Sequence, residues 1–301
     1  MKSITQLPEA VRGLLAGGTL KGVVLFPGDD CVAALKRICL LFPTELVVYT
    51  RSPGPDLSAL SAAARSCEVR LALSPATVLR DYLTSEPPEC HFIVRGDLLS
   101  LETFYKASHR LGGNAAGASL TQVGLVEMPP REGFFVVSDG LLNARPDKNA
   151  RLDIIRNSVT VWKALSDDPA RVALLSAVEQ VNPGMPVTVE SAEIAAAAVE
   201  AIRDAFVQGP LSFDVALDAE AARDKGVSGE VAGRANVLVG NAVEVSNGIY
   251  VVLTLLPKAS AASVVVGGRV PVALPFPSDG VETAFNSICL AALLGLRRGV
   301  V

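Results

Sequence analysis

The chain has 301 residues, half of them hydrophobic and only 19% charged, with a net charge of −4. That balance excludes a disordered polymer and suits a well-buried α/β protein of one large or two ordinary domains. The mild acidity leaves no basic footprint for nucleic acid, and no apolar run reaches the length of a membrane span.

MKSITQLPEA, at the start, lacks a signal peptide's apolar block, so a cytoplasmic protein is expected. Next, GVVLFPGDD, ELVVYT, VRLAL and CHFIVRG read as buried parallel strands, each a continuous apolar run. Between them CVAALKRICLLF, DLSALSAAARS and SPATVLRDYL read as helices, the alternation of a doubly wound sheet. The small-residue stretch Gly112 to Gly117 is a candidate hinge. Beyond it VGLVEMP, GFFVVSDG, RVALLSAV, ANVLVGN, ASVVVGG and VPVAL read as strands. NARLDIIRNSVTVWKAL is predicted to be a helix with Leu152, Ile155, Val159 and Trp162 on its buried face, and VESAEIAAAAVEAIRDAF a second, alanine-rich one. Two α/β lobes with a cleft between them follow. Cys31, Cys39, Cys67, Cys90 and Cys289 form no CxxC pair, and the histidines are His91 and His109 alone. No zinc ligand set is visible, and buried reduced thiols are expected.

Polar residues stand where strands end. FFVVSDGLLNARPD delivers Ser138, Asp139 and Asn143, and AVEQVNPGMPVT is a turn-rich exit. In FVQGPLSFDVAL, Gly209-Pro210 reads as a rigid turn before Asp214. In NVLVGNAVEVSNGIYVVL, Glu244, Asn247 and Tyr250 are spaced three apart, on one side of a helix. Taken singly, each feature reads as a cap or as packing.

In order and nearly without gaps, SDGLLNARPD, VNPGMPVT, QGPLSFDVAL, KGVSGEVAGRANVLV and VVVGGRVPVALPFPSDGVETAFNSI resemble the phosphate acetyl/butyryltransferase family. The likeness runs from about Cys90 to the C-terminus, while the first ninety residues share only the α/β rhythm. It implies acyl exchange between coenzyme A and phosphate, so an acyl-coenzyme A or acyl phosphate partner. No metal or bound cofactor is implied, coenzyme A being a substrate. It also implies two α/β domains related to isocitrate and isopropylmalate dehydrogenases, with the site between them and a homodimer formed through the second. The family's site-bearing turn returns to the first domain, which implies domains of 1–118 plus 272–301, and 119–271. Substrate contacts are implied for Arg95, Ser138, Asp139, Asn143, Asp214, Glu244, Asn247, Tyr250, Phe276 and Ser278, with Asp279 or Glu282 accepting the thiol proton.

The sequence also departs from the family's pattern. Where members read Thr-Ser-Arg-x-Asp-Ser, the Ser and Arg positions hold Phe276 and Pro277, while Asp279 keeps its place. A family Lys falls on Leu99, an Arg on Tyr105, a Ser-His pair on Thr121-Gln122 and an Asp on Ala242. Losing one fixed donor to a developing oxyanion costs roughly 3–4 kcal/mol. With no amide at Pro275 or Pro277, the turn forms no nest around an anion. The expected ligand is therefore coenzyme A or its acyl ester more readily than free phosphate. Two readings are open: an acyltransferase in which Arg95, Lys106, Arg145 or Arg269 supplies the missing positive charge, or a coenzyme A-binding or scaffold protein impaired in turnover. A dehydrogenase is disfavoured, because no GxGxxG follows the first strand.

Overall fold

The computed structural model describes residues 1–51, 55–72, 74–84, 89–109, 119–276 and 279–297; the stretch 112–117, read as a hinge, lies outside them. The chain forms two compact units: an N-terminal unit of Ser3–Leu120 with Ser260–Val301, and a central unit of Met1–Lys2 with Thr121–Ala259.

The N-terminal unit contains β1 (Leu20–Leu25), β2 (Thr44–Thr50), β3 (Ser66–Leu71), β4 (Phe92–Arg95), β10 (Ser260–Val266) and β11 (Val272–Ala273). Their order is β3-β2-β1-β4-β11-β10, parallel except for the antiparallel pair β10/β11. Its helices are α1 (Leu7–Leu15), α2 (Asp29–Leu41), α3 (Ser58–Ala63), α4 (Pro75–Thr84), α5 (Leu101–His109) and α11 (Val281–Leu296). Helix α11 is buried almost all round from Ala284 to Gly295, because α1 and α2 cover one side and β4, β10 and β11 the other. On α2, Cys31, Ala34, Leu35 and Ile38 recur at helical spacing and face that core. Arg37 locks the two helices: its guanidinium stacks 3.9 Å from the Phe285 ring and pairs with Glu282 at 2.5 Å.

The central unit contains β5 (Thr121–Glu127), β6 (Phe134–Ser138), β7 (Ala170–Leu175), β8 (Ala205–Leu211) and β9 (Val237–Val239). The order is β5-β6-β9-β7-β8, with β5/β6 antiparallel and the rest parallel. Helices α6 (Lys148–Leu165), α7 (Pro186–Ala201), α8 (Phe213–Leu217), α9 (Ala219–Asp224) and α10 (Val243–Thr254) complete it. On α6, Ile155, Val159 and Trp162 are buried as their spacing predicts, whereas Leu152 is only half-buried. Beside that stripe lies a buried cation, Arg151, 3.6 Å from the Glu190 carboxylate on α7.

The strands read as parallel, β1 to β4, do pair in parallel, whereas β5/β6 and β10/β11 run antiparallel. Four sequence expectations need correction. Strand β2 alternates buried and half-buried residues, and β3 is an exposed edge, so neither is a doubly covered strand. The alanine-rich helix stops at Ala201; Ala205 and Phe206 already belong to β8, which continues through Gly209-Pro210 rather than turning there. Proline is tolerated because β8 is an edge strand. Four of the cysteines are buried, but Cys67, on the exposed β3, is only half-buried. Among the described residues, no helix is long and apolar enough to cross a membrane.

Helix α11 seats at β4 only because residue 295 has no side chain: a Cβ there would fall 1.8 Å from the His91 carbonyl oxygen. Gly295→Ala is therefore expected to destabilise by at least the roughly 1–3 kcal/mol typical of overpacking, because the clashing atoms are backbone and cannot rotate away. Gly248→Ala on α10, where a Cβ meets nothing within 4 Å, is expected to be neutral or stabilising by up to about 1 kcal/mol. Urea unfolding of both variants checks the contrast.

Candidate active site

In the N-terminal unit the segment singled out by the sequence is the turn between β11 and α11. Burial of Phe276, 6% exposed, anchors its first half, and Pro277 and Ser278 lie outside the described residues. Asp279 closes the turn on itself: its Oδ2 accepts from the Phe276 amide at 2.8 Å, and its own amide donates to the Phe276 carbonyl at 2.9 Å. It is not the cap of α11. That position is Gly280, which has no side chain, so the first amides of the helix have no side-chain partner.

Behind the turn stands Arg95, at the end of β4 and only 1% exposed. Its Nη1 donates to the Leu99 carbonyl and its Nη2 to the Pro275 carbonyl. The guanidinium thus holds backbone, although the sequence suggested a substrate contact. Gly96 lets this strand end approach residues 26–27, since a Cβ there would lie 2.3 Å from the Phe26 carbonyl oxygen. Asp97 then accepts from the Gly28 amide at 2.7 Å, where α2 begins.

Burial pushes the Asp279 carboxyl up to about 6, against the opposing pull of the Phe276 amide and the Arg95 charge. A carboxyl poised there exchanges a proton readily near neutral pH. Glu282, the other candidate base, points to a different partner, being exposed and held in the ion pair with Arg37.

The central unit gathers its candidates around one loop. Asp139, buried just after β6, accepts from the amides of Leu141 (2.7 Å), Leu142 (2.8 Å) and Gln122 (3.1 Å), and from Asn143 Nδ2 (2.7 Å). Burial raises its carboxyl above the ordinary value, while these donors pull the other way. Gln122 Oε1 accepts from the Gly140 amide at 2.8 Å, and Asn247 Nδ2 donates to the Gly140 carbonyl at 2.9 Å. The Ser138 carbonyl accepts from Ser246 Oγ at 2.7 Å, and the buried Ser138 hydroxyl has no hydrogen-bond partner among the described residues. Tyr250 is buried with its ring against Gly124, where a Cβ would lie 2.4 Å from the ring. Glu244 stays exposed, 3.8 Å from Arg145.

Asp214 sits in a second cluster of this unit, on the first turn of α8. The Ser212 hydroxyl is within donating reach of both Asp214 and Glu179, and Lys225 Nζ lies 3.0 Å from Asp214 Oδ2 and 3.2 Å from Glu179 Oε1. The Ser212 hydroxyl and Lys225 hold the Asp214 carboxyl down, to about 2. The sequence reading missed Gln122, Ser212, Glu179 and Lys225 as members of these clusters. Ser212 directly follows β8, the same strand-end signal that singled out Asp139, whereas Glu179 lies in the loop after β7, past Ser176, Ala177 and Val178.

Comparisons with known proteins agree on a family. Residues 89–292 match the family model described as phosphate acetyl/butaryl transferase. A phosphate acetyltransferase of Rhizobium meliloti is 35% identical over 207 residues, covering 68% of this chain and 66% of that protein. A phosphate butyryltransferase of Clostridium acetobutylicum is 34% identical over 204 residues, covering 67% of this chain and 68% of that protein. These matches thus span about two thirds of each relative's length. Among solved structures, a branched-chain phosphotransacylase from Enterococcus faecalis V583 superposes with a TM-score of 0.76 at 27% identity, over 92% of this chain and 99% of that one. A phosphotransacetylase from Streptococcus pyogenes, 18% identical, shares the fold with a TM-score of 0.78 over 98% of this chain and 99% of that one.

Asp139→Ala would leave three backbone amides and an amide side chain without their acceptor. Unsatisfied buried groups cost about 1–3 kcal/mol each, so the variant should lose more than about 3 kcal/mol of stability. Asn143→Ala, which removes one donor, should lose about 1 kcal/mol. Chemical denaturation of the two variants measures the difference.

Proposed function

Because the chain belongs to the phosphate acetyl/butaryl transferase family, we propose that it transfers an acyl group between coenzyme A and phosphate. The observation that carries the mechanism is Asp279, a carboxyl raised to about 6 on a turn fixed by Arg95. From acyl phosphate, the Asp279 carboxylate takes the proton of the coenzyme A thiol. The sulfur then forms a bond to the acyl carbon, the carbon–oxygen bond to phosphate breaks, and phosphate leaves with that electron pair. In the opposite direction the protonated carboxyl returns its proton to the departing thiolate.

Of the four cations that could supply the missing charge, Arg95 is committed to two carbonyls, Lys106 to Glu102 at 2.5 Å, and Arg269 has an interaction of its own. Arg145 is exposed and meets Glu244 only at 3.8 Å, which supports it as the phosphate-facing cation. The remaining substrate contacts are assigned to Ser138, Asp139, Asn143, Asp214, Glu244, Asn247, Tyr250, Phe276 and Ser278, several of them acting by shaping backbone. Coenzyme A is a substrate in this reading, and no resident cofactor is invoked. The reading extends to a cytoplasmic homodimer with an isocitrate/isopropylmalate dehydrogenase-like fold. It divides the chain near residue 118, supported by the unit boundary after Leu120, and returns it to the first domain at Ser260 rather than at 272, because β10 groups with the N-terminal unit. A scaffold that had lost turnover has no use for a carboxyl poised near neutrality, and the relatives' activities also favour transfer.

The test is thiol release from a panel of acyl-coenzyme A esters, with and without phosphate. Phosphate-dependent release with at least one ester is expected; release that is absent, or indifferent to phosphate, for every ester would overturn the reading. Asp279→Asn should lower kcat by at least about 100-fold. The base must be ionised to accept the thiol proton, so kcat/KM for acyl phosphate should fall as pH drops through about 6. Arg145→Gln should raise KM for phosphate about tenfold, a loss of one charge-assisted contact.

A further inference from the structure

The N-terminal unit has a concave site on one face of β1, β2 and β3, beside Tyr82 of α4. A cavity of about 260 Å³ opens there, lined by residues that include Lys21, Glu45, Glu68, Arg70, Tyr82 and Glu89. All but Glu89 and Cys90 of its lining precede the residues that match the family model. The floor follows from strand register: Lys21 lies beside Glu45 and Glu45 beside Ser66, Val23 beside Val47 and Val47 beside Glu68, and Tyr49 beside Arg70. Side chains two apart along a strand share a face, so charged and apolar rows line one floor.

Two of its five charged groups already neutralise each other. Arg70 forks onto Glu68 with both contacts at 2.8 Å and donates to the Tyr49 hydroxyl at 3.1 Å. Tyr49 packs edge to face against Tyr82, with centroids 6.3 Å apart, and Tyr82 lines the cavity. Lys21, Glu45 and Glu89 remain; none has an ion-pair partner among the described residues, although Lys21 and Glu45 are neighbours in register. A sheet face in a doubly wound fold is ordinarily apolar and helix-covered. This one instead presents one cation, two carboxylates and an apolar strip in a space of metabolite size.

We propose that this cavity binds a free amino acid as its zwitterion. The ligand's carboxylate meets Lys21, its ammonium meets Glu45 and Glu89, and its side chain lies over Val23, Val47 and Tyr82. The two carboxylates disfavour a phosphate or dicarboxylate, and among the described residues no group of three His, Cys, Asp or Glu is placed to hold a metal ion. The volume lies at or below the lower end of ordinary ligand sites, too small for a nucleotide but adequate for one amino acid.

Calorimetric titration of the full chain tests this, using each of the twenty protein amino acids, with propylamine and propionate as half-ligands. At least one amino acid is expected to bind with one-to-one stoichiometry, at least tenfold more tightly than either half-ligand. Lys21→Met and Glu45→Gln should each weaken it at least tenfold, and Glu89→Gln, outside the strands, provides a variant that leaves the sheet intact. Saturating coenzyme A should not displace the amino acid. Binding by no amino acid beyond the half-ligands, binding that all three substitutions leave unchanged, or displacement by coenzyme A would each overturn the proposal. None of these outcomes depends on whether acyl transfer occurs.

Discussion

One buried guanidinium organises the part of the N-terminal unit that carries Asp279, the proposed base. Arg95 ends β4, donates to the carbonyls of Leu99 and Pro275, and stands near Asp97, Asp279 and Cys31. Burial pulls its pKa down, but an arginine remains charged far above physiological pH. A charge so placed must be met by fixed oxygen atoms, and here backbone carbonyls on both sides of it supply them. The turn before α11 is consequently held at Pro275, which places Asp279 where burial, only partly offset by Arg95, raises its carboxyl.

The central unit uses the opposite charge in the same way. Asp139 collects the amides of Gln122, Leu141 and Leu142, and Asn247 and Ser246 fasten the carbonyls of Gly140 and Ser138 from α10. Side chains that look like substrate ligands are thereby occupied in shaping loops. Their contribution to function is geometric: a mutation at Asp139 or Asn247 acts through the loop it releases. Arg145 and Glu244, 3.8 Å from each other, instead stay exposed to solvent.

Much of this was readable in advance, for identifiable reasons. Long apolar strands and the stripe on α6 report local periodicity, and that survives folding. The family likeness lay in motifs at strand ends, where the backbone itself demands particular residues. What could not be read was partnership across the chain. Gln122 and Asn247 meet Asp139 and Gly140 from 17 and 107 residues away. Nor does the sequence reveal that Arg95 is consumed by Pro275, 180 residues on, or that Arg37 claims Glu282. Gly209-Pro210 looked like a turn because proline is a breaker, but an edge strand does not need its missing amide. The exposed β3 could not be distinguished from a buried strand, since VRLAL carries no record of how few elements cover it.

The account turns on the state of one carboxyl, and its direct titration is the decisive measurement. In protein carrying ¹³C-labelled aspartate, the Asp279 carboxyl resonance, assigned by its loss in Asp279→Asn, can be followed from pH 3 to pH 9. A midpoint near 6 is expected. A midpoint in the ordinary aspartate range, about 4, would contradict it, because a carboxyl fully ionised throughout neutral pH is neither buried by this turn nor poised to exchange a proton with a thiol.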